Sequence, residues 1–389
     1  MSTRPNSVAV IGLQWGDEGK GKISHYLSDQ FDVFVRFQGG GNAGHTIYHE
    51  GQKVVTHLLP VGIVHKDKVC VLANGMVLNP DALIREIDDV SSILGESAWD
   101  LSRRIFISNK AHVVTQGSLD LDVQREETQK LGTTKTGIGP TYESKVNRTG
   151  TTVGHVLQEN AFANAEFLRL FRDRIVNTEV LLSGADRIGQ KIFFEGAQGV
   201  LLDVDLGQYP FVTSSNCLPA AIGTGAGFPV SKVERIIGVT KPYSTRVGAG
   251  PFTSEMTSVE SDAYRDLGSE FGATTGRPRR CGWLDAFALK YAVEVAGVTE
   301  IAVTKMDILD GNERVPVCVG YMLDGSEIRN IFDFPYGKEW DRVEPIFEYW
   351  TGWDNKDEHG SFLFQLSVFV GASIKNVSYG PEPEATSGF

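Results

Sequence analysis

The sequence predicts an α/β fold: a single large domain, residues 1–389, built on a central, mostly parallel β-sheet flanked by helices. Three observations carry that expectation. Short apolar runs rich in β-branched residues alternate with amphipathic segments along the chain. The first such run, residues 8–13, feeds a loop with glycines at 12, 16, 19 and 21 and then a helical-looking segment. That strand–loop–helix order holds phosphates, because glycines let backbone N–H groups come close and the helix N-terminus is partly positive. Finally, 389 residues at 41% hydrophobic and 22% charged can bury a sizeable core, and no repeat, low-complexity tract or linker interrupts them.

The glycine loop is the most informative stretch. Residues 16–22 read G-x-x-x-x-G-K, a partial match to a P-loop, but Ile23 stands where a Ser or Thr would hold Mg2+. A metal ligand must then come from elsewhere, and Asp17 is the nearest carboxylate of the loop. Four glycines with Asp17, Glu18, Lys20 and Lys22 exceed what a tight turn requires.

The remaining elements follow in order. Residues 31–38 read as a second strand running into another Gly-rich loop, 39–46, with Asn42 and His45. Residues 46–60 read as a hairpin turning at Glu50 and Gly51, 68–78 as a strand, 80–90 as an amphipathic helix opening on Pro80, and 103–114 as a strand. Residues 132–150 are a polar Gly- and Thr-rich loop region, too long for a simple connector. Residues 155–190 look helical, and 191–205 give a strand, a turn and a second apolar run. A strand at 233–243 ends in a basic loop, and Arg277, Arg279 and Arg280 cluster within 270–283. A buried helix, 283–297, stops at Gly297, and a strand at 300–309 closes the core. The last 80 or so residues alternate short strands with helices and end in a polar tail.

Composition excludes several classes. A net charge of −12 argues against a nucleic-acid surface, which needs clustered cations. Cys70, Cys217, Cys281 and Cys318 show no C-x-x-C spacing, so reduced thiols are expected rather than zinc or disulfides. With neither a secretory leader nor an apolar run of about 18 residues, a cytoplasmic protein with no membrane partner is expected.

Residues 304–307 read T-K-x-D after a strand. A carboxylate there accepts from guanine N1–H and N2–H2, a donor pair adenine lacks, and the preceding Lys305 can lie over the purine. Asp17 and His45, each in a glycine loop after a strand, are the candidates for proton and metal work. The other histidines, His25, His49 and His65 among them, read as surface or packing residues. Thr133, Thr134 and residues 213–216 offer uncharged donors suited to a monophosphate or nucleoside. Arg277 and Arg279 suit carboxylates or phosphates. Residues alone therefore point to an enzyme using GTP and Mg2+ on a second, anionic substrate.

Taken together, these segments resemble a known family. QWGDEGKGK, QGG-x-NAGHT, HLLP-x-GI, GTT-x-x-GIGP-x-Y-x-x-K, FEGAQG-x-LLD-x-D, YP-x-VTSSN, STRVGAGPF, GATTGRPRRCGWLD and TK-x-DILDG occur in order between residue 14 and about 311. Jointly they resemble adenylosuccinate synthetase. The resemblance implies a cytoplasmic homodimeric ligase of purine biosynthesis: GTP phosphorylates the 6-oxygen of IMP, and L-aspartate displaces the phosphate to give adenylosuccinate. It implies that Asp17 takes the N1 proton of IMP and, with the Gly44 carbonyl, binds Mg2+. His45 would stabilise the transferring phosphoryl group. Gly16, Glu18, Gly19, Lys20, Gly21, Lys22, Gly44 and Thr46 would hold the GTP phosphates. Asn42, Thr134, Gln198 and Thr213 would hold IMP, Gln198 acting also in catalysis, and Val247 and Arg277 its ribose. Arg148 would reach the IMP phosphate of the neighbouring subunit. Thr274, Thr275 and Arg277 would close on aspartate, with Arg279 between aspartate and GTP. Lys305 and Asp307 would read guanine, with Gly380 and Pro381 near its ring.

Four departures stand out. The stretch between Arg148 and Phe193 is shorter than in most bacterial members. Residues 217–221, CLPAA, replace a Thr- and Gly-rich run, and Ser24 with His25 replaces an apolar–acidic pair. The C-terminal tail lacks the usual apolar ending. A branch of the family acts on dGMP and typically carries Ser in place of the loop Asp; Asp17 argues for IMP.

Overall fold

The computed structural model describes residues 6–159, 164–272 and 276–389. Ten strands form the main sheet. Across it the order is Thr386–Gly388, Ile374–Ser378, Glu300–Val303, Arg235–Thr240, Ser7–Gly12, Ile192–Glu195, Val33–Arg36, Val69–Leu72, Ile105–Ser108 and Ile175–Val176. Every neighbouring pair is parallel except the first, where the C-terminal strand turns back on 374–378. The expected α/β architecture is therefore observed. The first strand lies in the middle, and all six of its residues are buried. Parallel strands put their carboxyl ends on one edge. The loops after Gly12, Arg36, Glu195, Val303 and Ser378 consequently all open on the same side, beside the strand at which chain order reverses.

Helices cover both faces. Helix Pro80–Leu94 is set by its ends: Asn79 accepts from the N–H groups of Asp81 and Ala82, Pro80 occupies the first turn, and Gly95 closes it at φ 64°. Its Leu83, Ile87 and Val90 are buried with Phe31, Phe34 and Phe193 on one face of the sheet. Helix Ala286–Ala296, capped by Asp285 and stopped at Gly297 (φ 60°), packs on the other with Ile301, Trp350 and Phe362. The hairpin turns at Glu50 and Gly51 as expected, both in the left-handed region that a tight two-residue turn demands.

Several expected elements are corrected. Residues 132–150 contain a helix, Ile138–Asn147, between two left-handed caps, Gly137 and Arg148. An unforeseen helix, Gln116–Gln129, precedes it; only Asp122 is buried, so no apolar period announces it. The described residues of 155–190 contain the helices Val153–Gln158, Ala165–Phe171 and Thr178–Arg187, with the edge strand Ile175–Val176 between the last two. The apolar run after Glu195 is a 3-10 turn, Val200–Leu202. The strands read at 68–78 and 103–114 each break in two, and their second pieces pair with each other, Val77 opposite His112. The helix read from 283 is a strand through Asp285 joined directly to the helix. The C-terminal region does not alternate as expected: Asn312–Leu323 and Val343–Trp353 form a long antiparallel pair in a second sheet.

Candidate active site

The phosphate loop is built around a buried carboxylate. Gly16, Asp17 and Gly19 all adopt positive φ, at 85°, 60° and 87°. Glu18 is fully buried and accepts from Gln14 N–H (3.1 Å), Gly16 N–H (2.8 Å) and Lys20 Nζ (2.6 Å). A Cβ on Gly12 would meet Glu18 Oε2 at 2.3 Å, and one on Gly199 would meet Oε1 at 2.6 Å, so two glycines make room for this brace. The side chain of Glu18 thus faces the loop's interior, leaving Gly16, Asp17, Gly19, Lys20, Gly21 and Lys22 to line the cavity. Ile23, at the position of the usual metal-binding hydroxyl, is core. Thr304 donates its hydroxyl to Glu18 O (2.5 Å), tying this loop to the T-K-x-D loop.

Beside it, His45 opens the hairpin. Its Nδ1 lies 2.6 Å from Glu195 Oε1, while Val61 N–H donates to Glu195 Oε2 (2.9 Å). The Arg36 guanidinium stands 3.8 Å from the same carboxylate. Burial pushes the His45 imidazole below its ordinary value, against the pull of Glu195. The neutral ring therefore donates from Nδ1 to Glu195 and keeps Nε2 basic. A Cβ on Gly21 would stand 2.8 Å from His45 Cβ, so the loop glycine also fixes where the imidazole sits.

Asn42 donates to Thr213 Oγ1 at 3.4 Å, joining two residues far apart in sequence. Gln198 lines the same cavity at φ 56°, and among the described residues neither its Oε1 nor its Nε2 has a hydrogen-bond partner although both are buried. The loop with Thr134 is held by acids of the unforeseen helix: Glu126 accepts from Gly132 and Thr133 N–H, and Asp122 from Gly137 N–H. Thr134 and Thr136 hydroxyls lie 2.7 Å apart.

At the other end, Lys305 is left-handed (φ 56°) and Asp307 Oδ1 accepts from Gly380 N–H at 2.8 Å. Lys22 Nζ donates to Gly380 O at 2.5 Å and to the Ser378 hydroxyl; burial draws its amine down to about 8. A second buried carboxylate, Glu270, organises this end. Its Oε1 accepts from Lys241 (3.0 Å), Lys305 (2.7 Å) and Tyr243 OH (2.5 Å), its Oε2 from Arg279 (2.5 Å). Burial would raise Glu270, but Lys241, Lys305 and Arg279 together hold it well below the usual carboxylate range. Arg279 Nε in turn lies 2.8 Å from Asp17 Oδ2.

These loops enclose one cavity of about 1500 Å3, room for more than one small ligand. Asn42, Gly44, His45, Thr46, Thr134, Gln198, Thr213, Val247 and Arg277 line it, as do Arg279, Lys305, Asp307, Gly380 and Pro381. Arg148 is exposed and outside its lining. Thr274 and Thr275 lie outside the described residues. The Asp17 carboxylate and the Gly44 carbonyl are hard oxygen donors on the wall, a set that suits Mg2+. Residues 217–221 do not line the cavity; Cys217 N–H bonds the Asp203 carboxylate and Ala221 packs in the core.

Sequence reasoning missed Glu195, a lone acid after an apolar run, and Glu270, a lone acid between Ser269 and Phe271; single acids of this kind are common in any chain. It read His25, His49 and His65 singly, as surface or packing residues; the fold gathers them into one cluster. Among the described residues no helix is long and apolar enough to cross a membrane.

The comparisons with known proteins agree with one another. The family model for adenylosuccinate synthetase matches residues 9–165 and 163–387. The adenylosuccinate synthetase of Chlorobaculum parvum is 43% identical over 428 aligned positions, covering 98% of this chain and 97% of that protein. That of Caldanaerobacter subterraneus is 39% identical, covering 97% of each. The fully ligated enzyme from Plasmodium falciparum superposes with a TM-score of 0.90 at 32% identity, covering 99% of this chain and 100% of that one. A cyanophage S-2L succinoaminodeoxyadenylate synthetase, bound to dGMP and to dATP as energy donor, shares the fold at TM-score 0.69 and 21% identity, covering 99% and 96%. The 428 aligned positions exceed the 389 residues by 39, and the two family-model segments meet at 163–165, inside the stretch read as shortened. By family model, by near full-length relatives and by fold, the chain belongs to the adenylosuccinate synthetase family.

Proposed function

We propose that this enzyme ligates L-aspartate to IMP at the expense of GTP, through a 6-phosphoryl intermediate. The observation that carries the reading is the joining of a guanine-reading loop to a phosphate loop, Thr304 to Glu18, around a cavity that also holds Asp17, His45 and Gln198. Asp17 takes the N1 proton of IMP, leaving the 6-oxygen anionic. That oxygen attacks the γ-phosphorus of GTP, the bond to the β-phosphate oxygen breaks, and GDP leaves. The aspartate amine then adds at C6, phosphate departs with the C6–O bond, and the amine gives up a proton. Lys20 and the amides of residues 17–22, with Thr46, hold the phosphates, and His45, oriented by Glu195, meets charge on the transferring group. Mg2+, held by Asp17 and Gly44, would neutralise charge on the phosphates. Gln198, Asn42, Thr213 and Thr134 hold the base and monophosphate of IMP; Val247 and Arg277 hold its ribose. Arg277 and Arg279, with Thr274 and Thr275, take the aspartate carboxylates.

Product formation with purified protein, Mg2+, GTP and L-aspartate, comparing IMP with dGMP, tests the reading. Turnover of IMP is expected; a preference for dGMP would overturn the assignment of substrate. Asp307→Asn should cut kcat/KM for GTP on the order of 100-fold while leaving ATP nearly unchanged, since the amide meets the guanine donors with an N–H2. An unchanged GTP/ATP ratio would remove Asp307 from base recognition.

Arg148, exposed and off its own cavity, suits a role across a homodimer interface, reaching the partner's IMP phosphate. Arg148→Leu and Asp17→Ala chains, each inactive alone, should recover about a quarter of wild-type activity when co-refolded at equal ratio, because only mixed dimers contain one intact site. No recovery from mixtures shown to form dimers would argue against a shared site.

A further inference from the structure

Three histidines from three elements meet outside the cavity. His25 is on helix Lys20–Leu27, His49 ends the strand His45–His49, and His65 follows the turn Val61–Val64. One ring nitrogen of each lies within 4.8 Å of those of the other two. His25 Nε2 and His49 Nδ1 are 3.2 Å apart. Two imidazoles on one tetrahedral zinc, at Zn–N distances of about 2.0–2.1 Å, stand about 3.3 Å apart, so this pair already has the spacing of co-ligands. The third nitrogen needs to close by about 1.5 Å or less to complete the set.

The surroundings favour metal-ready imidazoles. The Ser28 hydroxyl donates its single proton to His25 O (2.6 Å), so His65 Nε2, 2.7 Å from the same oxygen, must be the donor. That fixes the His65 tautomer and leaves Nδ1 basic, the outer-shell arrangement typical of ligating histidines. His25 is buried, and its second nitrogen, Nδ1, has no hydrogen-bond partner among the described residues. Burial, reinforced by His49 and His65, holds His25 down at about 4, and burial with His49 holds His65 below its ordinary value, so both are neutral at pH 7. Asp29 faces the cluster with opposing effect, joined by Glu384 at His25 and by Asp67 at His65, while Lys68 adds to the depression of His65.

We propose that His25, His49 and His65 form a three-imidazole site for a first-row transition metal, Zn2+ in the first instance, separate from the Mg2+ site of the catalytic cavity. Nitrogen donors suit Zn2+, whereas Mg2+ prefers oxygen, so the two ions would sort by ligand type. The three elements it would join carry the phosphate loop's helix, the strand that begins at His45, and the Val61 N–H that braces Glu195. An ion here would clasp the framework of the phosphate end without touching substrate.

The test uses full-length protein stripped of metal with a chelator and titrated with Co2+, then Zn2+, in excess Mg2+. One equivalent of Co2+ should bind with the intense visible absorption of a tetrahedral centre, be displaced by Zn2+, and raise the melting temperature. His49→Ala and His65→Ala, both at half-buried positions, should each weaken binding more than about 100-fold, and Ser28→Ala about 10–100-fold. His155→Ala and Asp17→Asn should bind as wild type. Absence of a one-to-one tetrahedral signal, its persistence in folded His49→Ala and His65→Ala, or its loss in Asp17→Asn would each overturn the proposal.

Discussion

Asp17→Asn is expected to lower turnover of IMP by at least about 1000-fold while leaving the thermal unfolding midpoint nearly unchanged. Asparagine is the informative substitution because Asp17 stands at φ 60°, a region that Asn tolerates and Ala resists. The amide keeps the shape of the side chain but can neither accept the N1 proton of IMP nor neutralise a metal. Asp17 is also the contact through which Arg279 meets the phosphate loop, at 2.8 Å, so the variant loosens that arginine. Kinetics separate the effects: a lost base lowers kcat at saturating substrate, whereas a displaced Arg279 raises KM for aspartate. Near-normal kcat would remove Asp17 from proton transfer.

Glu270→Gln is expected to destabilise the protein by about 3–5 kcal/mol, the cost typical of removing one partner from a buried ionic cluster. Buried Lys241 and Arg279, with the half-buried Lys305, would be left around a neutral amide. Denaturant unfolding measures this directly, and a change within about 0.5 kcal/mol would contradict the assigned role. The pH dependence carries a second signature. The folded carboxyl titrates far below its ordinary 4.5, so its contribution is complete above that value and is lost as pH falls toward the folded value. Wild-type stability should therefore decline below pH 4.5 more steeply than that of Glu270→Gln. Because Lys305 and Arg279 both lean on this carboxylate, KM for GTP and for aspartate should rise together.

What the sequence discloses here depends on the kind of residue. The loops at 12–22, 39–46 and 304–307 are legible because each follows an apolar strand and sets charged or polar groups where the backbone turns left-handed, a local pattern suited to holding an anion. The parallel sheet follows from buried apolar runs. Glu195 and Glu270 are illegible for the opposite reason. Their meaning lies in partners 150 residues away for His45–Glu195 and 35 for Lys305–Glu270, and pairing across space leaves no local period. Helix Gln116–Gln129 is solvated almost all round and so carries no apolar stripe, yet Asp122 and Glu126 on it hold the loop with Thr134. The helix inside 132–150 hides behind glycines that act as its left-handed cap. Gly380 is a further case: strand 374–378 delivers its N–H to Asp307, a contact across 73 residues that no local pattern announces.

The position of the first strand also has a consequence for how the chain is made. Ser7–Gly12 leaves the ribosome well before its two neighbours in the sheet, which begin at Ile192 and Arg235. At 5–20 residues per second, the seat of the phosphate loop has no walls for roughly 10–50 s of synthesis. During that interval an apolar strand, six residues that end fully buried, waits with both edges unpaired. Chaperone demand should therefore peak before residue 240 is translated, and slowing elongation ahead of that point should cost more folded enzyme than slowing it afterwards.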